Sequence, residues 1–526
     1  MKTELKKGLT VALVLAFGIT AVSPWDAYCV TDYTEDPVYT EDPAYTEEPA
    51  YTDETVYTDE YGNTIETEPA EMRVTKDTSW FDYLNPEKTY HIRNEAQLMG
   101  FASLVNEQQV EAWKPNRHET FEGVTIVLDA DVKLTEDWIP AGNDDTVCFK
   151  GTFDGKGHTI SGLHIDTSGD YAGFFGYLSG TVKNLTLKGK VSTTGGRCGA
   201  IAGYLAEGGE IADCKSYVNV SAGAETGGIC GYNEGSVTDT LNYGNVKGTL
   251  KVGGICGENW SSITRCGNRG NIRSTARGFA TYGTGGVAGR SLSENAVISK
   301  CYNTGEIRSR TEGTGGITGF ANVYGSRILS CYNTGKINVR NAMSMNADTP
   351  GYAGGIVGII PSRSVRIISC YNAGTINNSD FSGGIIGLYN NNSNRREDVY
   401  IRNNHFLSQG IRYGVGADGS GASVNLSGTG SITAGALVNG SSALGPAYID
   451  DNRGEYGNYG YPVLTWQEAL DESERTYLSH IPSDLQKKLD TYLSSGENSR
   501  KPGYGVYIFF NHNEFSSDVM RKYNER

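Results

Sequence analysis

Gly227-Gly228-Ile229-Cys230-Gly231 and Gly253-Gly254-Ile255-Cys256-Gly257 are two copies of one phrase. It returns as Gly315-Gly316-Ile317-Thr318-Gly319 and Gly383-Gly384-Ile385-Ile386-Gly387. Eight copies end at Gly176, Gly203, Gly231, Gly257, Gly289, Gly319, Gly358 and Gly387, at intervals of 27, 28, 26, 32, 30, 39 and 29 residues. A second phrase follows each time. Its later forms are Cys301-Tyr302-Asn303-Thr304-Gly305, Cys331-Tyr332-Asn333-Thr334-Gly335 and Cys370-Tyr371-Asn372-Ala373-Gly374. Three residues before its first position stands a branched apolar residue (Ile211, Val237, Ile263, Ile298, Ile328, Ile367). Another stands six residues after it (Val220, Val246, Ile272, Ile307, Ile337, Ile376).

Segments this short, β-branched and bounded by Gly and Asn exclude helix, because the glycine density is high and no 3.6 period is present. Strands of a few residues joined by tight turns remain. One unit buries too little to fold alone, whereas stacked units bury a continuous core and pair each backbone edge with the coils on either side. The expected fold is all-β, a parallel β-solenoid with coils ~4.8 Å apart. A propeller is the alternative, but it needs ~40 residues per blade and cleaner alternation. In the solenoid, glycines sit at corners and close approaches. Asn268, Asn303, Asn333 and Asn372 fall in one column, where side-chain amides can form a ladder along the axis.

The order of these phrases resembles the GLUG-motif repeat of bacterial secreted and surface proteins. The stretch Phe149-Lys150-Gly151-Thr152-Phe153-Asp154-Gly155-Lys156-Gly157-His158-Thr159-Ile160-Ser161-Gly162-Leu163 is similar to the lead-in of such repeats, and Tyr461-Pro462-Val463-Leu464-Thr465-Trp466 to the phrase that closes them. The resemblance covers roughly residues 90–470. It implies a right-handed parallel β-helix outside the cell, of a kind that accompanies adhesins and IgA-cleaving metallopeptidases, and it supplies no catalytic residue. Those metallopeptidases carry a His-Glu-x-x-His zinc motif. Here His118-Glu119-Thr120-Phe121-Glu122 lacks the second histidine, which argues against zinc proteolysis.

Composition agrees with an exported repeat protein. Glycine is 69 of 526 residues, about twice the usual share, and tyrosine is 33. The net charge of −16 argues against nucleic acid and anionic membrane surfaces as partners. Between Cys29 and Met72 stand 14 acidic and no basic residues. Residues 1–28 carry +1, so the remainder from Arg73 onward is only −3. Lys2, Lys6 and Lys7 followed by the apolar run Leu9 to Ile19 read as a signal peptide, too short to span a bilayer. A buried N-terminal helix and, through Cys29, a lipid anchor are the weaker readings. Tyr33, Tyr39, Tyr45, Tyr51 and Tyr57 recur every six residues in an acidic stretch that cannot bury a core. It reads as an extended spacer, with a tyrosine-rich recognition tail as the alternative.

The expected organisation is a signal peptide at 1–28, an acidic tether at 29–75, an N-terminal cap with the first coils at 76–170, eight repeats at 171–408, closing coils at 409–470 and a small α/β segment at 471–526. Asn94-Glu95-Ala96-Gln97 reads as a capping box opening a helix over the N-terminal edge, with Leu98, Phe101, Ala102 and Val105 on its apolar face. Ser483-Asp484-Leu485-Gln486 repeats that pattern, and Tyr504 to Phe510 reads as a strand. The chain is expected to be monomeric, and not to span a membrane once the signal is removed.

Cys214, Cys266, Cys301, Cys331 and Cys370 share one column, and Cys230 and Cys256 another. In-register side chains hold Cβ atoms near the coil spacing, beyond the ~3.8 Å mean of disulfides, so buried thiols acting as small hydrophobes are expected. The acids of the repeats (Asp213, Glu234, Asp239, Glu258, Glu294, Glu306, Glu312) share no column. Asp129, Asp131, Asp137, Asp144 and Asp145 lie in the first coils, and Asp154 suits a turn. No catalytic, cofactor or metal residue is assigned. Alternation places Cys301 inward and Tyr302 outward, so Tyr302, Tyr332 and Tyr371 are expected to form an exposed strip able to stack on sugars or bind a protein. Stacking on one another to shield the sheet is their structural alternative. Insertions near Arg277–Thr284 and Asn341–Tyr352 are expected to build a loop surface beside the strip. The expected function is non-catalytic adhesion or binding of a glycan or an extracellular host or matrix protein, with a carbohydrate-active enzyme or a purely structural spacer as alternatives.

Overall fold

In the computed structural model the two phrases stack copy upon copy. The structure describes residues 74–469, apart from 83–84, 108, 112–113, 276–281, 322–325, 340–342, 345–346, 349–350, 362–364, 391–399, 408–410, 419–425, 452–457 and 459, and the pairs 57–58 and 64–65. The signal and most of the tether, Cys29, and the helix and strand expected at 471–526 lie outside the described residues. Residues Met1–Glu71 form one unit, in which Tyr57–Thr58 pairs antiparallel with Thr64–Ile65. Met72–Arg526 form a second unit, whose described residues make an all-β parallel solenoid of about nine turns, consistent with a right-handed β-helix.

One coil illustrates the path. Ser236–Thr238 joins an eleven-stranded sheet, Leu241–Asn242 and Val246–Gly248 a sixteen-stranded sheet, Val252–Gly253 a six-stranded sheet and Cys256–Asn259 a nine-stranded sheet. Every pairing within these four sheets is parallel, and the register is kept throughout except for one shift between Leu187 and Gly189. Cys230 lies on Cys256, and then Ala288, Thr318, Val357, Ile386 and Val415 follow one above another. Ile229, Ile255, Val287, Ile317, Ile356 and Ile385 are hydrogen-bonded in one backbone column. Val415–Asp418 adds a ninth rung where no glycine phrase marks one.

The buried apolar residues fall into several clusters rather than one, and two of them matter most to the coils. The larger contains the isoleucine column, Val237, Ile263, Ile298, Ile328 and Ile367, and the cysteine column. The smaller contains Val246, Val252, Ile272, Ile307 and Ile337. A fully buried amide ladder accompanies them. Each Nδ2 donates to the next Oδ1, from Asn242 to Asn268 (2.8 Å), Asn303 (2.7 Å), Asn333 (2.8 Å) and Asn372 (2.8 Å). This ladder explains why the two phrases travel together. A Cβ on Gly316 would fall 2.6 Å from the Asn333 side chain and 2.0 Å from the Gly355 carbonyl, and Gly286 meets Asn303 in the same way. The second glycine of the first phrase is the space into which the asparagine of the second phrase fits.

The nine described cysteines are buried and unbridged. Seven of their thiols donate to backbone carbonyls, as Cys301 does to Ser299 (3.2 Å). Burial pushes the Cys214 thiol up to about 12 and raises those of Cys256, Cys266 and Cys331 as well. Such thiols are poor nucleophiles.

The first coils are closed by helix α1, Glu95–Asn106, whose N-cap Asn94 accepts from Gln97 N (3.0 Å). Phe101 of α1 packs on Phe121, Phe149, Phe153 and Phe175 and plugs the end of the larger core. Asp154 makes the expected turn, accepting from Lys156 N (3.0 Å) and from the Asn184 amide (2.9 Å).

One corner recurs in the left-handed region without glycine. Asp213 and Asp239 share this corner's column, against the expectation that the repeat acids share none, and with Arg265, Lys300, Ser330, Ser369 and Asn403 they have φ between 49° and 55°. Such a conformation costs an L-residue roughly 1–2 kcal/mol, while glycine adds about 0.5–1 kcal/mol of unfolded-state entropy. Lys300 is exposed. Lys300→Gly is therefore expected to stabilise the fold by about 0.5 kcal/mol, read as a higher denaturation midpoint, and an unchanged or lower midpoint would show that the corner is unstrained.

Candidate functional site

The three tyrosines expected on the surface are not there. Tyr302, Tyr332 and Tyr371 do point away from the cysteine core, as alternation requires, but their exposures are 1%, 0% and 0%. They stack on one another at 5.2 and 5.1 Å with interplanar angles of 8° and 7°. The exposure expected of them is corrected by what covers them. Short helices α2 (Ala434–Val438) and α3 (Ser441–Leu444) and the antiparallel pair Tyr448–Ile449 with Val463–Leu464 return along the column. Leu437, Leu444, Tyr448, Tyr461 and Leu464 share one apolar cluster with the tyrosines. Tyr332 Oη donates to Gln467 Oε1 (3.1 Å), Tyr371 Oη donates to the Pro462 carbonyl, and Asn458 Nδ2 donates to Tyr371 Oη (2.7 Å). Trp466 stacks against Tyr302 at 5.9 Å and donates to the Lys300 carbonyl (2.9 Å). The closing phrase is thus the lid of the tyrosine column.

A different aromatic file reaches solvent. The residue after each closing glycine faces outward on the nine-stranded sheet, and in three successive coils it is Tyr177, Tyr204 and Tyr232, in register. Their rings stack at 4.7 Å (11°) and 4.9 Å (6°), which is the coil spacing itself. The guanidinium of Arg197 lies 5.2, 5.6 and 5.3 Å from the rings of Tyr171, Tyr204 and Tyr232. Stacked this way, the file turns edges and hydroxyls outward and closes its faces to a ligand.

Trp260 is the exception. It sits 6.3 Å from Tyr232, is 37% exposed, and lines a groove of about 460 Å³ with Glu207, Gly209, Glu234, Ser236 and Asn295. Its indole Nε1 donates to Glu258 Oε1 (2.9 Å). Glu258 is buried and bridged to Lys251 (2.5 Å), which also meets Glu225 (2.7 Å), and Glu225 meets Arg197 (3.0 Å). Burial opposes the charge on Lys251, but the two carboxylates hold its ammonium above the usual range. Burial, then the Glu234 carboxylate that Tyr204 Oη donates to at 2.5 Å, raises the Tyr204 phenol. The network fixes the indole from behind and leaves its body exposed beside two carboxylates. Sequence reasoning missed Tyr177, Tyr204 and Tyr232, although their place after Gly176, Gly203 and Gly231 was a readable signal. Trp260 occurs once and offered none.

Three of the first-coil acids pair with histidines, Asp129 with His91 (3.0 Å), Asp131 with His158 (3.1 Å) and Asp137 with His164 (2.7 Å), while Asp144 accepts from Thr146 (2.6 Å) and Val147 N (2.8 Å). His118 Nδ1 lies 3.2 Å from the Val105 carbonyl. Among the described residues no three His, Cys, Asp or Glu side chains converge as metal ligands, and no helix is long and apolar enough to cross a membrane. Of the insertions expected beside the strip, the described part of the second contains the antiparallel pair Met343–Ser344 with Ala347–Asp348.

No family model matches the chain. It is similar to halomucin of Haloquadratum walsbyi, 31% identical over 160 residues, a match that spans 28% of this chain and 2% of halomucin. It also overlaps the crystal structure of a provisionally assigned immunoglobulin A1 protease from Bacteroides ovatus. There the identity is 19% and the TM-score 0.34, over 72% of this chain and 92% of that one.

Proposed function

We propose that this is an exported, non-catalytic binding protein whose solenoid offers the Trp260 groove to a neutral glycan of a cell or matrix surface. The observation that carries the reading is the preset indole. A sugar ring stacks on an exposed aromatic face while carboxylates such as Glu207 and Glu234 accept from its hydroxyls. The basic start, the apolar run Leu9 to Ile19 and the GLUG-like order of phrases support export. Glycan-array binding by the full chain, lost at least tenfold in Trp260→Ala with an unchanged melting temperature, is the expected result. Equal binding by the variant would remove Trp260 from the site. Because two carboxylates line the groove, a carbohydrate-active enzyme is the second reading, and shortened oligosaccharide products in the same incubation would favour it. Absence of any glycan or matrix binding would leave a structural spacer.

A further inference from the structure

On the outer face of the sixteen-stranded sheet, Ser192, Ser221, Lys247, Arg273, Arg308, Asn338 and Asn377 form one in-register file. Its three consecutive cations are all exposed. Arg308 meets Glu306 (3.1 Å), and no carboxylate pairs with Lys247 or Arg273 among the described residues. Like charges directly opposite one another on adjacent strands oppose pairing, and here they repeat at the coil spacing of ~4.8 Å. The file stands away from the Trp260 groove, which lies along the turns between the nine- and eleven-stranded sheets.

We infer that Lys247, Arg273 and Arg308 form a docking track for an anionic polysaccharide lying along the solenoid axis. A single file of cations suits a single extended chain better than a lipid surface, and one sugar of such a chain advances by nearly one coil. No residue of the file from Ser192 to Asn377 is aromatic, so nothing in it offers a nucleobase a stacking partner. Arg273 and Arg308 present planar forks to sulfate or carboxylate, and Lys247 adds a point charge. Asn338 and Asn377 continue the file with amides joined at 3.1 Å. The track is independent of the glycan-groove reading and survives its failure.

The test is binding of the full chain to immobilised dextran sulfate, polygalacturonate and uncharged dextran across a salt series. Binding to at least one polyanion and not to dextran is expected, and which polyanion binds tells sulfate from carboxylate. In the triple variant Lys247→Gln, Arg273→Gln, Arg308→Gln, low-salt affinity is expected to fall at least tenfold. The slope of log affinity against log salt should fall by about two to three, following the loss of three neutralised charges. The charge-matched control Lys88→Gln, Lys133→Gln, Lys150→Gln, on exposed lysines of the first coils, should bind polyanion as the wild type does. Equal losses in the charge-matched control, an unchanged slope in the triple variant, or no polyanion binding at all would overturn the inference.

Discussion

Asn303→Asp is expected to destabilise the middle of the solenoid by about 3–5 kcal/mol at neutral pH, the range found when a buried charge is left without a partner. The substitution is nearly isosteric, so packing is not the variable. Asn303 Oδ1 accepts from Asn268 (2.7 Å), and its Nδ2 donates to Asn333 Oδ1 (2.8 Å) and to the Gly305 carbonyl (2.9 Å). A carboxylate keeps the first bond and turns the other two into contacts between acceptors, at a fully buried site. Burial would lift the new carboxyl above its unfolded value of about 3.9. The folded variant then binds a proton that the unfolded chain releases, so its deficit relative to wild type grows as pH rises from 4 and shrinks below it. Melting temperatures of both proteins at pH 4 and pH 7 measure this difference. Stacked coils interact mainly with their neighbours, so amide exchange should quicken first around residues 263–339 rather than throughout. A deficit indifferent to pH, or none, would mean that the ladder is not what holds adjacent coils in register.

The ladder and the stacked columns were legible because they are periodic. Ile229, Ile255, Ile317 and Ile385 recur beside fixed glycines, and a repeat turns position in the phrase into position in space. Alternation also assigned Cys301 and Tyr302 correctly to opposite sides of their strand, since they lie in different apolar clusters. What it could not supply was the far side's occupant. The segment that buries Tyr302 lies more than a hundred residues away, has no repeat, and is joined to the column by contacts such as Trp466 to Lys300 and Gln467 to Tyr332. Periodicity is a local signal, and this cover is a single long-range event. The Trp260 groove escaped for a related reason. Its indole is placed by Glu258, which lies on one strand, and by Lys251 and Glu225, which share a column one residue before the Thr226–Val252 pair, so the link makes sense only once the coils are superposed.

Tyr371→Ala should release that cover while leaving the coils wound. The ring is fully buried, stacks on Tyr332 at 5.1 Å and meets Tyr448 at 5.7 Å. Truncating a buried aromatic costs about 3–5 kcal/mol. That loss falls on the contact between column and lid, because the Cys370 and Ile367 side chains belong to the other core. Asn458 Nδ2 retains the Tyr461 (3.1 Å) and Pro462 (3.0 Å) carbonyls, so no buried donor is orphaned and the effect reads as lost packing. Amide exchange in residues 434–467 is expected to approach that of an open segment, while residues 326–333 and 366–372 stay protected. Tyr371→Phe keeps the ring and loses the bond to Pro462 and the one accepted from Asn458, so it should cost about 1–2 kcal/mol. Leu464→Asp attacks the same contact from the lid and retains all three tyrosines. Its protein on a glycan array asks whether Tyr302, Tyr332 and Tyr371 become a ligand face once uncovered. If Tyr371→Ala instead speeds exchange in coils and lid together, the closing segment is not a lid on a finished solenoid but part of what completes it.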